Sequence, residues 1–465
     1  MFSRFFMKAL LVSTIFHQCP VVERLIVEEG GGRAAGTPER GSSVDPRMGS
    51  CEGCRPIRIS IDAYGGTPVN CTHCLPFIRM RMFRKIAVMA TILLVFLFAI
   101  FCMISSDGTA DISIEDSDLT IAKRNNRHAE EFRMFVVGDT GGIPIIEATS
   151  VQKTVAKTMA ALATNSPVDT VLNLGDNIYY TGVLDVNDYR FKTRFEDVYT
   201  DPALQVKWLM MAGNHDHFGN ISAQIEYTKR SNKWYYPALY YNMTYMVKDM
   251  KIEIVVIDTI ELCGNTRDVE NGGFFDMMWA SKTDPKGPKD PIKAQQQMTW
   301  IEKILQNSDA DYLIVAGHYP IHSISSHGPT LCLQDKLDPL LVKYNASIYF
   351  SGHDHNLQHF QYEELSKHTV NYIVSGAASR TDSSDKNIYP YMKGDHLKFH
   401  YPSSSTFSAF HLGQLGFFTN GGFVDATFHK NLAKLGFYDK KGRNLYLAEI
   451  QPRYLKCSSR NKKNC

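Results

Sequence analysis

A surplus of charge of either sign is missing from this 465-residue sequence: 50 Lys and Arg stand against 48 Asp and Glu, a net of +2. That balance leaves no electrostatic footprint for nucleic acid and no call for a strongly acidic partner. Cysteine is scarce as well, ten in all, which is too few for disulfides to stand in for a hydrophobic core. No segment repeats at a fixed period, which excludes solenoids and propellers. What remains is an ordinary globular composition, 44% apolar and 21% charged.

One long apolar run is present. Residues 86–104, IAVMATILLVFLFAIFCMI, carry no charge over 19 positions, close to the roughly 20 that a bilayer core requires. Arg79, Arg81, Arg84 and Lys85 precede it, and Asp107, Asp111, Glu115, Asp116 and Asp118 follow. By the positive-inside rule, everything after residue 104 then crosses the membrane. The run reads either as a retained signal anchor or as a signal peptide starting at Met82 and cleaved after it. Sequons at Asn220, Asn242 and Asn345 agree with a lumenal or extracellular address. The expected location is the secretory pathway, with the downstream part secreted, lysosomal or membrane-anchored.

The remaining chain divides by texture. Residues 1–85 are glycine-rich in places and poor in periodic structure. Cys51, Cys54, Cys71 and Cys74 fall at zinc-ribbon spacing, but no strand-like runs surround them, and a low-structure leader is the expectation. Residues 105–131 read as a linker, 132–452 as the folded domain and 453–465 as a tail. Within the domain, FRMFVV, TVLNL, WLMMA, IEIVVI, YLIVA and SIYFS are candidate strands alternating with helical patterns, an α/β layout. Residues 294–307 place Met298, Ile301, Ile304 and Leu305 on one helical face.

Five of the six strands run into a glycine followed by polar residues able to bind metal: Gly138-Asp139, Gly175-Asp176-Asn177-Ile178-Tyr179, Gly213-Asn214-His215-Asp216, Gly317-His318 and Gly352-His353-Asp354-His355. Sites in α/β sheets form at strand carboxyl ends, where glycine allows a tight turn. Each block alone reads as a turn, but together they converge. Asp139, Asp176, Tyr179, Asn214, His318, His353 and His355 are too many ligands for one zinc ion. Two cations sharing a carboxylate fit them.

These blocks resemble, one by one, those of the purple acid phosphatases, a family of calcineurin-like metallophosphoesterases. The stretches Gly213-Asn214-His215-Asp216-His217-Phe218-Gly219-Asn220, Ala316-Gly317-His318-Tyr319-Pro320 and Gly352-His353-Asp354-His355-Asn356-Leu357-Gln358 look like the small, mammalian-type, tartrate-resistant members. The resemblance implies a four-layer α/β/β/α sandwich. It assigns Asp139, Tyr179 and His355 to a ferric ion and Asn214, His318 and His353 to a divalent ion (iron, zinc or manganese), with Asp176 bridging. Ligand charge supports this independently: carboxylates and a phenolate suit a trivalent ion, an amide and imidazoles a divalent one. The implied reaction is hydrolysis of phosphate monoesters in acid by a hydroxide that the metals supply, with His215 and His327 as the non-ligand histidines serving proton transfer.

Two positions depart from the family pattern. Ser326 replaces an acidic residue before His327, and His322 replaces a bulky aromatic. The resemblance further implies a Cys263–Cys332 disulfide, and an exposed loop at 261–291 whose proteolysis activates relatives. A monomer with phosphomonoester substrates is expected, with no nucleic acid bound. Three alternatives stand beside this reading: a phosphodiesterase or pyrophosphatase on the same scaffold, which Tyr179 argues against; a catalytically inactive membrane-tethered binding protein; and an amino-terminal interaction module that the enzyme anchors.

Overall fold

The computed structural model describes residues 120–123, 130–142, 147–266, 285–363, 369–391, 395–403 and 420–453, all within the unit Leu94–Cys465. The leader with its four cysteines, the 86–104 run and the chain beyond residue 453 lie outside the described residues. Among the described residues no helix is long and apolar enough to cross a membrane.

Among the described residues fifteen strands, numbered in chain order, build two mixed sheets. In the seven-stranded sheet β2 (Phe132–Val137), β3 (Thr170–Asn173), β4 (Lys207–Met210) and β5 (Trp234–Tyr235) run parallel. An antiparallel meander of β13 (Gly422–Phe428), β14 (Ala433–Asp439) and β15 (Asn444–Ile450) extends it beyond β2. The eight-stranded sheet has the order β1 (Thr120–Lys123), β6 (Tyr241–Val247), β7 (Met250–Val256), β8 (Tyr312–Ala316), β9 (Ile348–Ser351), β11 (Thr369–Ser375), β10 (Leu357–Glu363), β12 (Leu397–Tyr401). The β1 strand pairs in parallel with β6, so the sheet reaches back into residues expected as linker. The segment reads TIAK, with only Ile121 and Ala122 apolar, and so offers no apolar run of the kind that marks the expected strands.

All six expected strands are present to within two residues at each end. The expected amphipathic helix is α4 (Pro291–Asn307), capped by Asp290, whose carboxylate accepts the Ile292 and Lys293 N–H groups at 3.0 and 3.2 Å. Its Ile301 and Leu305 are buried, with Met298 and Ile304 packed beside them. The other α-helices among the described residues are α1 (Ser150–Asn165), α2 (Ile221–Tyr227), α3 (Thr259–Cys263), α5 (Leu331–Lys336) and α6 (Asp338–Lys343).

Alternation along the eight-stranded sheet defines the layers. Ile252, Ile254 and Val256 of β7, with Ile314 and Ala316 of β8, join the core shared with the seven-stranded sheet and α1. Their neighbours Val255, Leu313 and Val315 face the other way, into a second core with α4, α5 and α6. Helix, sheet, sheet and helix are therefore stacked in that order, the four-layer sandwich expected.

Candidate metal centre

Strand register brings the loop starts level. Val137 pairs with Asn173 and Asn173 with Met210 in one sheet, and Ala316 pairs with Phe350 in the other. The loops after β2, β3 and β4 bring Asp139, Asp176, Tyr179 and Asn214; those after β8 and β9 bring His318, His353 and His355. Turning so sharply requires unusual backbone. Asp139, Asp176 and His353 sit at φ of 60°, 51° and 67°, a left-handed conformation that costs about 1 kcal/mol or more each and collects at functional sites. Close approach also demands glycine. A Cβ on Gly213 would lie 2.2 Å from Asp176 Oδ1, and one on Gly352 would lie 2.6 Å from Asp139 Oδ2.

The donors form two groups. Tyr179 Oη lies 2.8 Å from Asp139 Oδ1 and 3.0 Å from His355 Nε2, and those two atoms are 3.3 Å apart. His318 Nε2 lies 2.9 Å from Asn214 Oδ1 and 3.5 Å from Asp176 Oδ1. Asp139, Asp176 and His318 keep one ligand atom each within 4.8 Å of the others, which joins the groups. The His353 ring centroid is 5.1 Å from that of His318, and the backbone N–H of His353 donates to Asp139 Oδ2 at 2.9 Å. Donor separations near 3 Å are those expected around a common ion with ligand bonds of about 2.0–2.2 Å, so the residues fit a pair of cations.

Electrostatics point the same way. Burial, and then the neighbouring Asp176, push the Asp139 carboxyl up to about 8 against the pull of His318. Burial works on Asp176 too, but His318, His215 and the hydrogen bonds it accepts hold it below the usual carboxylate range. Two buried carboxylates this close resist ionising together without added positive charge. Burial, then Asp139 and Asp176, raise the Tyr179 hydroxyl well above its ordinary value. Burial also keeps His353 and His355 well below the usual imidazole range, reinforced by His327 at the first and by Arg380 at the second. Neutral imidazoles are the form that ligates metals.

Groups behind the ligands hold the loops. Asp216 accepts N–H groups from Gly213, Asn177 and Ile178 at 2.9, 2.9 and 3.2 Å, tying the β3 and β4 loops together. The His318 Nδ1–H donates to Leu174 O at 2.8 Å, which aims Nε2 at the centre. Arg194, buried, donates to the carbonyls of Gly141 (3.2 Å) and Tyr179. The base of the 261–291 loop reaches the same place: Asn265 Nδ2 donates to Asn214 O at 3.2 Å, and Asn214 Nδ2 to Thr266 Oγ1 at 3.4 Å. Residues 267–284 of that loop lie outside the described residues.

Both non-ligand histidines flank the cluster. The His215 ring is 4.7 Å from Tyr179, with Nδ1 2.8 Å from Tyr180 O. The His327 ring is 4.3 Å from His353, and the backbone N–H of His327 donates to Asp354 Oδ1 at 2.9 Å. Ser326 hydrogen-bonds the carboxylate of Asp382, so an acid does stand beside this position, supplied from a distant loop. His322 lies elsewhere, stacked on Tyr362 at 4.4 Å and edge-on to Tyr372 in the second core. It replaces aromatic packing with aromatic packing. Cys263 and Cys332 are disulfide-bonded, Cα to Cα 5.8 Å, joining α3 to α5. Of the sequons, Asn220 is exposed, whereas Asn242 is 7% exposed with its amide donating to Glu253 at 3.0 Å. Inside the folded sheet Asn242 is closed to a glycosyltransferase.

Sequence reasoning passed over Arg194, Arg380 and Asp382, because none follows a strand in a recognisable metal-binding pattern. A signal existed for Arg380: the run Ser375-Gly376-Ala377-Ala378-Ser379-Arg380 ends β11 on small residues, as the ligand-bearing strands end on glycine.

Residues 132–357 match the family model described as calcineurin-like phosphoesterase. The chain is 40% identical over 292 residues to the tartrate-resistant acid phosphatase type 5 of Rattus norvegicus, covering 62% of this chain and 84% of that one. It is 40% identical to the human protein of the same name over 282 residues, covering 60% and 82%. Purple acid phosphatase 17 of Arabidopsis thaliana is 29% identical over 314 residues, covering 67% and 82%. Among solved structures, GAP50, the anchor in the inner membrane complex of Plasmodium, shares the fold with a TM-score of 0.55 at 22% identity, covering 70% of this chain and 90% of that one. With its strand-end ligand set and these relatives, the chain belongs to the purple acid phosphatase family of the calcineurin-like metallophosphoesterases and is an enzyme of the acid phosphatase class.

Proposed function

We propose that residues 132–452 form the catalytic domain of an acid phosphatase that hydrolyses phosphate monoesters at a centre of two unlike cations. Asp139, Tyr179 and His355 would hold a ferric ion, and Asn214, His318 and His353 a divalent one, with Asp176 between them. The observation that carries this reading is the grouping of the donors. The first group offers a carboxylate and a phenol at 2.8 Å, hard anionic oxygens suited to a trivalent ion, and the second an amide oxygen and an imidazole at 2.9 Å, suited to a borderline divalent one. When bound, such cations supply charge neutralisation at the phosphoryl oxygens and lower the pKa of water.

The chain's own residues account for the remainder. His215, with its Nδ1 proton directed at Tyr180 O, exchanges a proton at Nε2 and serves as donor to the leaving alcohol. His327 stands across the cluster, its backbone anchored by Asp354, and is the second proton-transfer candidate. The hydrogen-bonded ligand loops hold these groups in place before substrate arrives, so little reorganisation is needed during reaction. The disulfide fits an oxidising compartment, in keeping with passage through the secretory pathway.

The direct test is turnover of p-nitrophenyl phosphate against bis-p-nitrophenyl phosphate, before and after dialysis against a chelator. Monoester hydrolysis strongest in acid, lost on chelation and restored by iron with a divalent metal, is the expected result. Preference for the diester would favour a phosphodiesterase, and no turnover of either a binding protein.

A further inference from the structure

Arg380 reaches the centre from the end of β11, a strand that supplies none of the seven candidate ligands. It is 5% exposed, with Cζ 4.1 Å from the centroid of the Tyr179 ring and 5.6 Å from that of Tyr180. Its Nε lies 3.1 Å from His355 Nδ1 and its Nη2 3.3 Å from His355 Nε2. Nη1 is buried without a hydrogen-bond partner among the described residues. Asp382, two residues on, directs its carboxylate to Ser326 and to the Ser384 N–H rather than to Arg380. A buried guanidinium with an unmet donor is costly until an anion reaches it.

The contact with His355 makes the shortage of acceptors greater. Two donors cannot share one lone pair. A His355 that offers Nε2 to a cation carries its proton on Nδ1, so the Arg380 Nε–H finds no acceptor there. The guanidinium is then left with several N–H groups beside a site built for an anionic substrate. Its planar fork matches phosphate oxygens, where an ammonium would act only as a point charge.

We propose that Arg380 is a substrate-binding residue that donates hydrogen bonds to the phosphoryl oxygens of the monoester. This rests on the phosphatase reading above and adds a protein cation to the two metals. The stacking on Tyr179 holds the guanidinium at the centre and leaves Nη1 for the ligand.

The test uses the full chain as Arg380→Met and Arg380→Lys, with three readouts: inorganic phosphate affinity by calorimetry, metal content by elemental analysis, and KM against kcat for a monoester. Arg380→Met is expected to weaken phosphate binding and raise KM about ten-fold or more, the loss of one charge-assisted hydrogen bond, with metal content unchanged. Arg380→Lys is expected to recover part of that loss, and it carries the test alone should the methionine variant not fold. Phosphate affinity unchanged with the metals retained would overturn the proposal. So would metal lost along with phosphate, since Arg380 would then act by supporting His355. Wild-type protein that binds neither metal nor phosphate would overturn the phosphatase reading itself.

Discussion

The two sheets contribute different chemistry to one centre. Every oxygen donor among the seven candidate ligands, Asp139, Asp176, Tyr179 and Asn214, comes from the seven-stranded sheet, and every nitrogen donor, His318, His353 and His355, from the eight-stranded sheet. Each group nevertheless draws on both, since Tyr179 meets His355 at 3.0 Å and Asn214 meets His318 at 2.9 Å. The division teaches two things. Neither sheet alone holds a complete site, so cation binding and sheet-on-sheet packing support each other. On the proposed assignment, the unlike character of the two cations would follow from how anionic oxygens are shared between the groups rather than from the imidazoles, which both groups contain.

The sharpest break in this comparison is Asp176→Asn, which removes the carboxylate assigned to both cations. Loss of at least one metal per chain is expected, with a fall in kcat/KM of about a thousand-fold, the equivalent of several kcal/mol; elemental analysis beside monoester kinetics checks it. A variant with both metals and near-normal turnover would remove Asp176 from the bridge.

A smaller effect is expected from Gly213→Ala. The added methyl would lie 2.2 Å from Asp176 Oδ1 and 2.4 Å from its backbone nitrogen, so the β3 and β4 loops must separate. A displacement of about 1 Å at reacting groups costs on the order of a hundred-fold in rate. The expected signature is a fall in kcat of that order while the protein remains folded by circular dichroism. Unaltered kinetics would mean that the oxygen-bearing loops are less closely packed than described.

The smallest effect concerns stability behind the oxygen-bearing side. His217 Nε2 lies 2.6 Å from Asp258 Oδ2. Burial works against the charged imidazole, but Asp258 outweighs it, with Asp216 and Glu261 adding, and raises His217 above 6.5. The folded state therefore holds this proton more tightly than the unfolded chain does. The stabilisation is complete below about pH 6.5 and is lost as pH rises through the raised folded value. His217→Ala is expected to lower Tm by several degrees at pH 5.5, from a loss of about 1–2 kcal/mol, and by less at pH 8.5. An equal or larger drop at pH 8.5 would contradict the pairing.

The convergence of the seven candidate residues was legible because each follows a β-branched or aliphatic run and a glycine, so sequence order carried spatial order. Tyr179 stands four residues beyond its glycine and still meets the cluster, since Asp176 precedes it on the same loop. Arg380 and Asp382 were passed over. They lie beyond β11, where the run Gly376-Ala377-Ala378-Ser379 is the one signal, and their relation to His355 and Ser326 exists only in three dimensions. The β13–β15 meander was passed over although Val424, Ala426 and Phe428 of β13 alternate with Asp425 and Thr427; its joining to β2, where Asp425 meets Arg133 at 2.6 Å, exists only in three dimensions. The sequon at Asn242 shows the same limit, since its motif is intact while burial closes it.

The central claim, a phenolate from one sheet and an imidazole from the other on the same ferric ion, is tested most directly by the visible absorption spectrum of the purified protein, taken with metal analysis and beside Tyr179→Phe. The account predicts a broad band giving a purple or pink colour, iron in the wild-type protein, and loss of the band in the phenylalanine variant. A colourless wild-type protein carrying two zinc or manganese ions after treatment with oxidant would contradict it.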